Sequence, residues 1–256
     1  MKHSVFFTIL TASLNRGATI RRTLESVKSQ NFQNLEHVVI DGGSHDETLE
    51  ILREFENIYN LTCISEPDRG IGDALNKGLS RARGRYVIVI HADDQLLGPD
   101  ILEKVYLLLK DELFDIHSFP VILDHPVHGR VPLKPIQVLW WHHFKTVFLH
   151  QGSFVHRRVY ARVGGYRKEF SVALDYDFFY RALISRCTVK FEKFPVSLMG
   201  GSGISSNKDF LLARLQEEVR VQNLNERNPF WRLAQLLFRT FYFPYKTQVL
   251  PRLKTD

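Results

Sequence analysis

Four short runs of apolar, largely β-branched or aromatic residues mark the N-terminal part of the chain: "VFFTIL" (5–10), "EHVVI" (36–40), "LTCIS" (61–65) and "YVIVI" (86–90). The segments between them carry a helical period. This alternation constrains the fold more than any other feature, because strands that are apolar on both faces and separated by helices require a parallel sheet covered on both sides. Ile20, Leu24 and Val27 share one helical face, as do Leu49, Leu52 and Phe55, which follow Ser44 and Glu47 at capping-box spacing. Ile71, Ala74, Leu75, Gly78, Leu79 and Ala82 form the apolar stripe of a third helix. Pro99 opens a fourth, which buries Ile101, Leu102, Val105 and Leu109.

In such sheets ligands bind beyond the carboxyl ends of the strands. Asp41 follows "HVVI", and Asp93 and Asp94 follow "VIVI", so carboxylates from two strands are predicted on one rim. Adjacent carboxylates repel, and a hard divalent cation bridging a nucleotide diphosphate would relieve that repulsion. The alternative is that one of the pair only caps the turn toward Pro99.

Taken in order, "TASLNR" (11–16), "VVIDGGSHDET" (38–48), "SEPDRGIGDALNKGLSRARG" (65–84) and "VIVIHADDQ" (87–95) resemble the successive signatures of family 2 glycosyltransferases. These are inverting, nucleotide-sugar-dependent enzymes of the GT-A fold, and the resemblance runs from about residue 4 to about residue 205. It implies an α/β architecture with a Rossmann-like, mostly parallel central sheet and helices on both faces; from about residue 207 the texture changes to a C-terminal helical tail. It further implies that Thr11, Asn15 and Asp41 hold the nucleoside, that Asp93 lies near the ribose, and that Asp94 binds a Mg²⁺ or Mn²⁺ carrying the diphosphate. Arg69, Asp73 and Asn76 become donor-sugar contacts. His91 departs from the carboxylate or amide that many members carry there. "LHQGSFVHRR", "VGGYRKEFSVALDYDFFYRA" and "MGGSGISS" resemble the acceptor half of the family. There Asp175 fits the general base and Asp177 competes for that role. Arg181 positions a carboxylate, and His150 and Gln151 lie on the acceptor side.

The expected protein is therefore a hexosyltransferase-type enzyme that moves a sugar from a nucleotide diphosphate donor to a hydroxyl of a glycan or lipid-linked saccharide, as in cell-surface polysaccharide synthesis. Residues 1–206 form the catalytic domain, with 1–115 binding the nucleotide sugar and 116–206 the acceptor; residues 207–256 form the tail. A sugar-phosphate nucleotidyltransferase would need a Gly-rich, cationic loop after the first strand, for which "LTASLNRGATI" is a poor substitute. A non-catalytic glycan- or membrane-associated module would have no need of Asp41, Asp94 and Asp175 together.

Charge and cysteine content bear on the setting. A net charge of +6 favours an anionic partner. Basic and acidic residues alternate along the predicted helices, which argues against nucleic acid. Two cysteines without paired spacing suit a reducing compartment, so a cytoplasmic setting is expected. The histidines, including His125, His128, His142 and His143, match no closed zinc spacing. From 230 to 256 the tail interleaves Arg232, Arg239, Lys246, Arg252 and Lys254 with aromatic rings against one acid, Asp256. This suits peripheral docking on the inner face of the cytoplasmic membrane. The alternative is that Leu233, Leu236, Leu237 and Phe241 pack back onto the catalytic domain.

Overall fold

The computed structural model describes residues 5–201 and 210–249. In chain order its elements are β1 (Phe7–Ser13), α1 (Gly17–Lys28), β2 (Leu35–Asp41), α2 (Thr48–Phe55), β3 (Leu61–Ser65), α3 (Ile71–Arg81) and β4 (Tyr86–Val89). Next come β5 (Gln95–Leu96), α4 (Ile101–Leu109), β6 (Ile116–Ser118), β7 (Val121–His125), β8 (Gly129–Leu133), β9 (Ser153–His156) and α5 (Arg157–Val163). The chain continues with α6 (Leu174–Ile184), β10 (Val189–Phe191), β11 (Ser197–Gly200), α7 (Leu211–Asn225) and α8 (Pro229–Pro244).

The four apolar runs are β1 to β4, and they lie side by side in a seven-stranded sheet of order β10-β6-β9-β4-β1-β2-β3. Strands β4, β1, β2 and β3 run parallel, as do β10 and β6; β9 alone is antiparallel to its neighbours. Burial explains the composition. Every residue of β2 and β4 is buried, whereas the edge strand β3 is half-exposed. Side chains such as Leu10, Ile40 and Ile88 leave water completely, each contributing about 1.5–3 kcal/mol of transfer free energy. Helix α1 buries Ile20, Leu24 and Val27, and α4 buries the four residues the period selects.

Two local details differ from the sequence expectation. Helix α2 turns Thr48, Ile51, Leu52 and Phe55 inward, leaving Leu49 at the margin. Ser44 also makes no capping box: its hydroxyl donates to Asp41 Oδ1 at 2.5 Å, and Asp46 Oδ1 accepts from Thr48 N instead. The strand-end carboxylate outcompetes the helix end for that hydroxyl.

A second sheet, β5-β11-β7-β8, stands beside the rim and brings the end of β11 to the turn after β4. Beyond it, α7 lies along α6 with Leu215 and Val221 fully buried, and α8 runs from Pro229 to Pro244. Leu233, Leu236, Leu237 and Phe241 stay exposed on α8, so they do not pack back onto the catalytic domain. No helix among the described residues is long and apolar enough to cross a bilayer. Arg252 and Lys254 lie outside the described residues.

Candidate active site

Strand β4 runs out at "HADD", and the chain turns back on itself there: Asp94 N donates to His91 O at 3.0 Å. The Asp94 carboxylate closes the same turn by accepting His91 N at 3.1 Å through Oδ2. Its Oδ1 accepts Gly200 N at 2.9 Å from the end of β11, and Thr23 of α1 pins the Asp94 carbonyl at 2.7 Å. Gly200 is required by close approach, since a Cβ there would lie 2.9 Å from both Asp93 O and Asp93 Oδ2. Turn capping is thus realised, but it does not exhaust Asp94, because two N–H donors leave lone pairs on both oxygens. Burial raises the Asp94 pKa, an effect that His91 opposes and Asp93 reinforces.

A hard divalent cation fits this chemistry. Both candidate donors are carboxylates, and burial disfavours Asp94's negative charge unless a counter-charge arrives. Among the described residues no group of three or more His, Cys, Asp or Glu is disposed to hold a metal. The fit is therefore to an ion that takes one or two carboxylates and completes its shell with phosphate oxygens and water. A groove of about 520 Å³ opens beside Asp93, with walls that include Thr19 and Arg22 of α1, Gln95, Asp124 and Gly200.

The other donor-side residues divide into those that face outward and those that hold the rim. Thr11 is fully buried, its hydroxyl donating to Ile90 O at 2.6 Å and meeting His37 Nε2 at 2.9 Å. Asp41 is also fully buried and accepts from Gly43 N, Ser44 N, Ser44 Oγ and Ser65 Oγ. In this conformation both side chains are engaged by the chain's own groups and shape the rim. Exposed Asn15, in the left-handed region at φ 52°, ties its loop to the next by accepting His45 N at 2.9 Å. Asn76, expected on the sugar, instead bridges Tyr166, donating to its O at 2.7 Å and accepting its N at 2.8 Å. Gly165 makes room for that bridge, since its Cβ would sit 2.1 Å from Asn76 Oδ1. Asp73 pairs with Lys168 at 2.6 Å and accepts Arg69 N at 3.1 Å, contacts that hold its carboxyl below the usual range. Asn76 and Asp73 therefore fasten α3 to the loop before α6, while Arg69 stays exposed.

On the acceptor side, two carboxylates in the first turn of α6 have opposite environments. Asp177 is fully buried and bonded at both oxygens: Arg167 at 2.9 Å and Asn225 at 3.0 Å on Oδ1, Arg181 Nε at 2.9 Å on Oδ2. Arg181 also donates to Val163 O, and to Gly165 O at 2.7 Å, so it positions Asp177 and the 163–165 turn. Asp175 is only partly buried, and its Oδ1 accepts from its neighbour's backbone, Tyr176 N at 2.7 Å. Burial pushes its pKa up to about 6. The loop leading into it is held from α7, where Glu217 accepts from Ser171, Val172 and Ala173 N–H groups at 2.8–3.1 Å.

His91 joins the two sides. Its ring centroid lies 5.7 Å from that of His150, and it is close enough to both Asp94 and Asp175 to favour their charged forms. His150 is buried, bonded through Nε2 to Tyr166 OH at 2.8 Å, and burial drives its pKa down to about 3, so it supports the site as a neutral ring. Gln151 is partly exposed and receives Ser197 Oγ on its backbone oxygen at 2.7 Å. Sequence reasoning missed Glu217, Lys168 and Tyr166 as supports, since their partners lie tens of residues away or across the sheet. Only His91 carried a signal, as a departure from pattern.

A mostly parallel sheet with carboxylates at its strand ends, faced by a second half that carries one unsaturated carboxylate, defines a GT-A glycosyltransferase. The chain belongs to glycosyl transferase family 2, whose profile matches residues 8–170. It is 33% identical over 229 residues to an uncharacterised glycosyltransferase of Mycobacterium tuberculosis, covering 87% of this chain and 85% of that one. It is 30% identical over 182 residues to a PGL/p-HBAD biosynthesis glycosyltransferase of Mycobacterium bovis, covering 67% of each. Among solved structures, Staphylococcus aureus TarS 1–349 with UDP-GlcNAc superposes with a TM-score of 0.75 at 16% identity, over 96% of this chain and 77% of that one. The mannosyltransferase PcManGT of Pyrobaculum calidifontis, with GDP-Man and Mn²⁺, does so with 0.68 at 19% identity, over 92% and 69%.

Proposed function

We propose that this glycosyltransferase inverts the anomeric centre, with Asp175 as the base. The observation that carries this reading is the contrast within one helical turn. Asp177 has both oxygens engaged by two arginines and the Asn225 amide, whereas Asp175 keeps lone pairs open and has its pKa raised to about 6. A carboxylate with that pKa is deprotonated at neutral pH yet basic enough to take a proton as the reaction proceeds. The acceptor oxygen attacks the anomeric carbon from the side opposite the diphosphate. Its proton passes to Asp175, and the bond to the diphosphate oxygen breaks with its electron pair.

Asp94, helped by Asp93, is the residue that would hold a divalent ion; bound there, Mg²⁺ or Mn²⁺ supplies charge neutralisation for the diphosphate. Thr11, Asn15 and Asp41 act on the nucleoside through the loops they hold, and exposed Arg69 is free to meet donor oxygens. Asp73 and Asn76 act at one remove, by docking the 165–168 loop onto α3. The acceptor is read as a hydroxyl of a glycan or lipid-linked saccharide, and a lipid-linked one would meet the enzyme at the cytoplasmic membrane surface. The decisive experiment screens purified protein for release of nucleotide from UDP- and GDP-sugars with Mg²⁺, Mn²⁺ or chelator. Metal-dependent release with one donor supports the reading; inertness toward every nucleotide sugar in the presence of glycan acceptors overturns it.

A further inference from the structure

We propose that the His91 ring donates a hydrogen bond to a hydroxyl of the transferred sugar and so helps to select the donor, an inference that rests on the transferase reading. His91 stands where β4 gives way to the carboxylate turn. Its main chain belongs to that turn, with N donating to Asp94 Oδ2 at 3.1 Å and O accepting from Asp94 N at 3.0 Å. Its side chain is a separate matter. The residue is half-buried, and among the described residues no hydrogen bond engages either ring nitrogen. The ring packs edge-on against His150, with centroids 5.7 Å apart and planes at 69°. His150 is fixed in turn by Tyr166 OH at 2.8 Å and stands edge-on to Phe179 of α6 at 6.0 Å. Asn76 of α3 holds the Tyr166 backbone. The His91 ring therefore leans on a fixed wall between the rim and α6 while its nitrogens stay available.

Position decides what those nitrogens meet. In the proposed reaction the breaking bond joins the sugar to the diphosphate on the Asp94 side. The forming bond joins the same sugar to the hydroxyl that Asp175 deprotonates. The sugar thus lies between Asp94 and Asp175, and His91 acts electrostatically on both carboxylates, so its ring borders that space. Histidines that serve only the fold look different here: His37 has both ring nitrogens bonded, to Thr11 at 2.9 Å and Tyr59 at 2.8 Å, and His150 bonds Tyr166. In either protonation state an imidazole offers an N–H, whereas a carboxylate at position 91 would only accept and would add negative charge beside Asp93 and Asp94. The chemistry suits a sugar whose hydroxyl oxygen accepts from the ring. A site that hydrogen-bonds a hydroxyl discriminates against a sugar that lacks it.

The test is calorimetric titration of the full chain in Mn²⁺ with UDP and GDP, and then with UDP-glucose, UDP-N-acetylglucosamine and GDP-mannose. His91→Ala should weaken the nucleotide sugar that the parent binds best by about tenfold, while the matching nucleoside diphosphate stays within about twofold. His91→Gln, which keeps an N–H donor, should recover most of the loss. Both variants retain the backbone N–H that Asp94 accepts, and an unchanged melting temperature verifies the fold. Equal losses for nucleotide sugar and diphosphate would assign His91 to the turn that holds Asp94. No loss for either would leave its ring as packing against His150, and each of these results overturns the sugar contact. The two readings separate on the parent: a folded parent that binds none of these nucleotide sugars removes the transferase reading and the contact with it, whereas normal parent binding that His91→Ala leaves unchanged removes the contact alone.

Discussion

The donor rim and the mount of Asp175 are built by opposite means. At the rim, Asp41 is held mainly by its own turn, through Gly43 and Ser44, and Asp94 by His91 of its own turn together with Gly200 at the end of β11. At the mount, Asp175 and Asp177 depend on groups far along the chain, Glu217 holding the loop before one and Asn225 binding the other. Local construction yields sequence motifs, because spacing and chemistry are fixed together. Remote construction yields a site whose character is set by α7, and α7 has no motif. The lesson is that α7, which lies in the stretch that reads by texture as the start of a tail, holds the acceptor side through Glu217 and Asn225.

The sharpest way to break this comparison is to remove one carboxylate from each region. Asp94→Asn should reduce transfer by ~10³-fold or more, through loss of the charge that would hold a cation, while the protein stays folded. Full activity of this variant in chelator would dissolve the role of the rim. Asp177→Asn acts on the fold, because it leaves Arg167 and Arg181 without their buried counter-charge. A loss of about 3 kcal/mol in denaturant unfolding is expected. If Asp177→Asn were as stable as the parent but inactive, the two aspartates would exchange roles.

Stability against pH sharpens the contrast further. Asp175 has a raised pKa, so its ionisation costs stability as pH rises from about 4 toward 6, and the cost is complete above 6. Asp175→Asn should therefore unfold at higher denaturant at pH 7, by about 1–3 kcal/mol. Glu217 has the opposite sign. Its backbone and Ser171 donors outweigh burial and lower its pKa, so its contribution is present above the usual glutamate range and lost as pH falls through the lowered value. Glu217→Gln should cost about 1 kcal/mol at pH 7. It should also lower turnover a few-fold with donor affinity unchanged. A shift in donor affinity alone would detach α7 from the base.

The order of strands, the helix faces and the rim were legible because periodicity and strand ends are local properties. Asp175 was legible as one of two, since "LDYDFFYR" places both aspartates in the first turn of α6. The contrast between them rests on Arg167, Arg181 and Asn225, which the fold brings to Asp177 from 4 to 48 residues away along the chain. The internal partners of Thr11, Asp41 and Asn76 were not legible for a related reason. A polar residue at a strand end reads the same whether it faces a ligand or the chain's own backbone, and only the fold supplies His37, Ser65 and Tyr166 as partners.

The central claim, that Asp175 is the proton acceptor, is tested most directly by the pH dependence of kcat/KM for transfer, which reports groups in the free enzyme. For the parent it should rise with unit slope and level off above about pH 6, matching the raised pKa of Asp175. For Asp175→Asn it should lie ~10²–10⁴-fold lower at neutral pH and lack that limb, with donor affinity by calorimetry unchanged. The same limb in the variant, or loss of donor binding in step with turnover, would contradict the account.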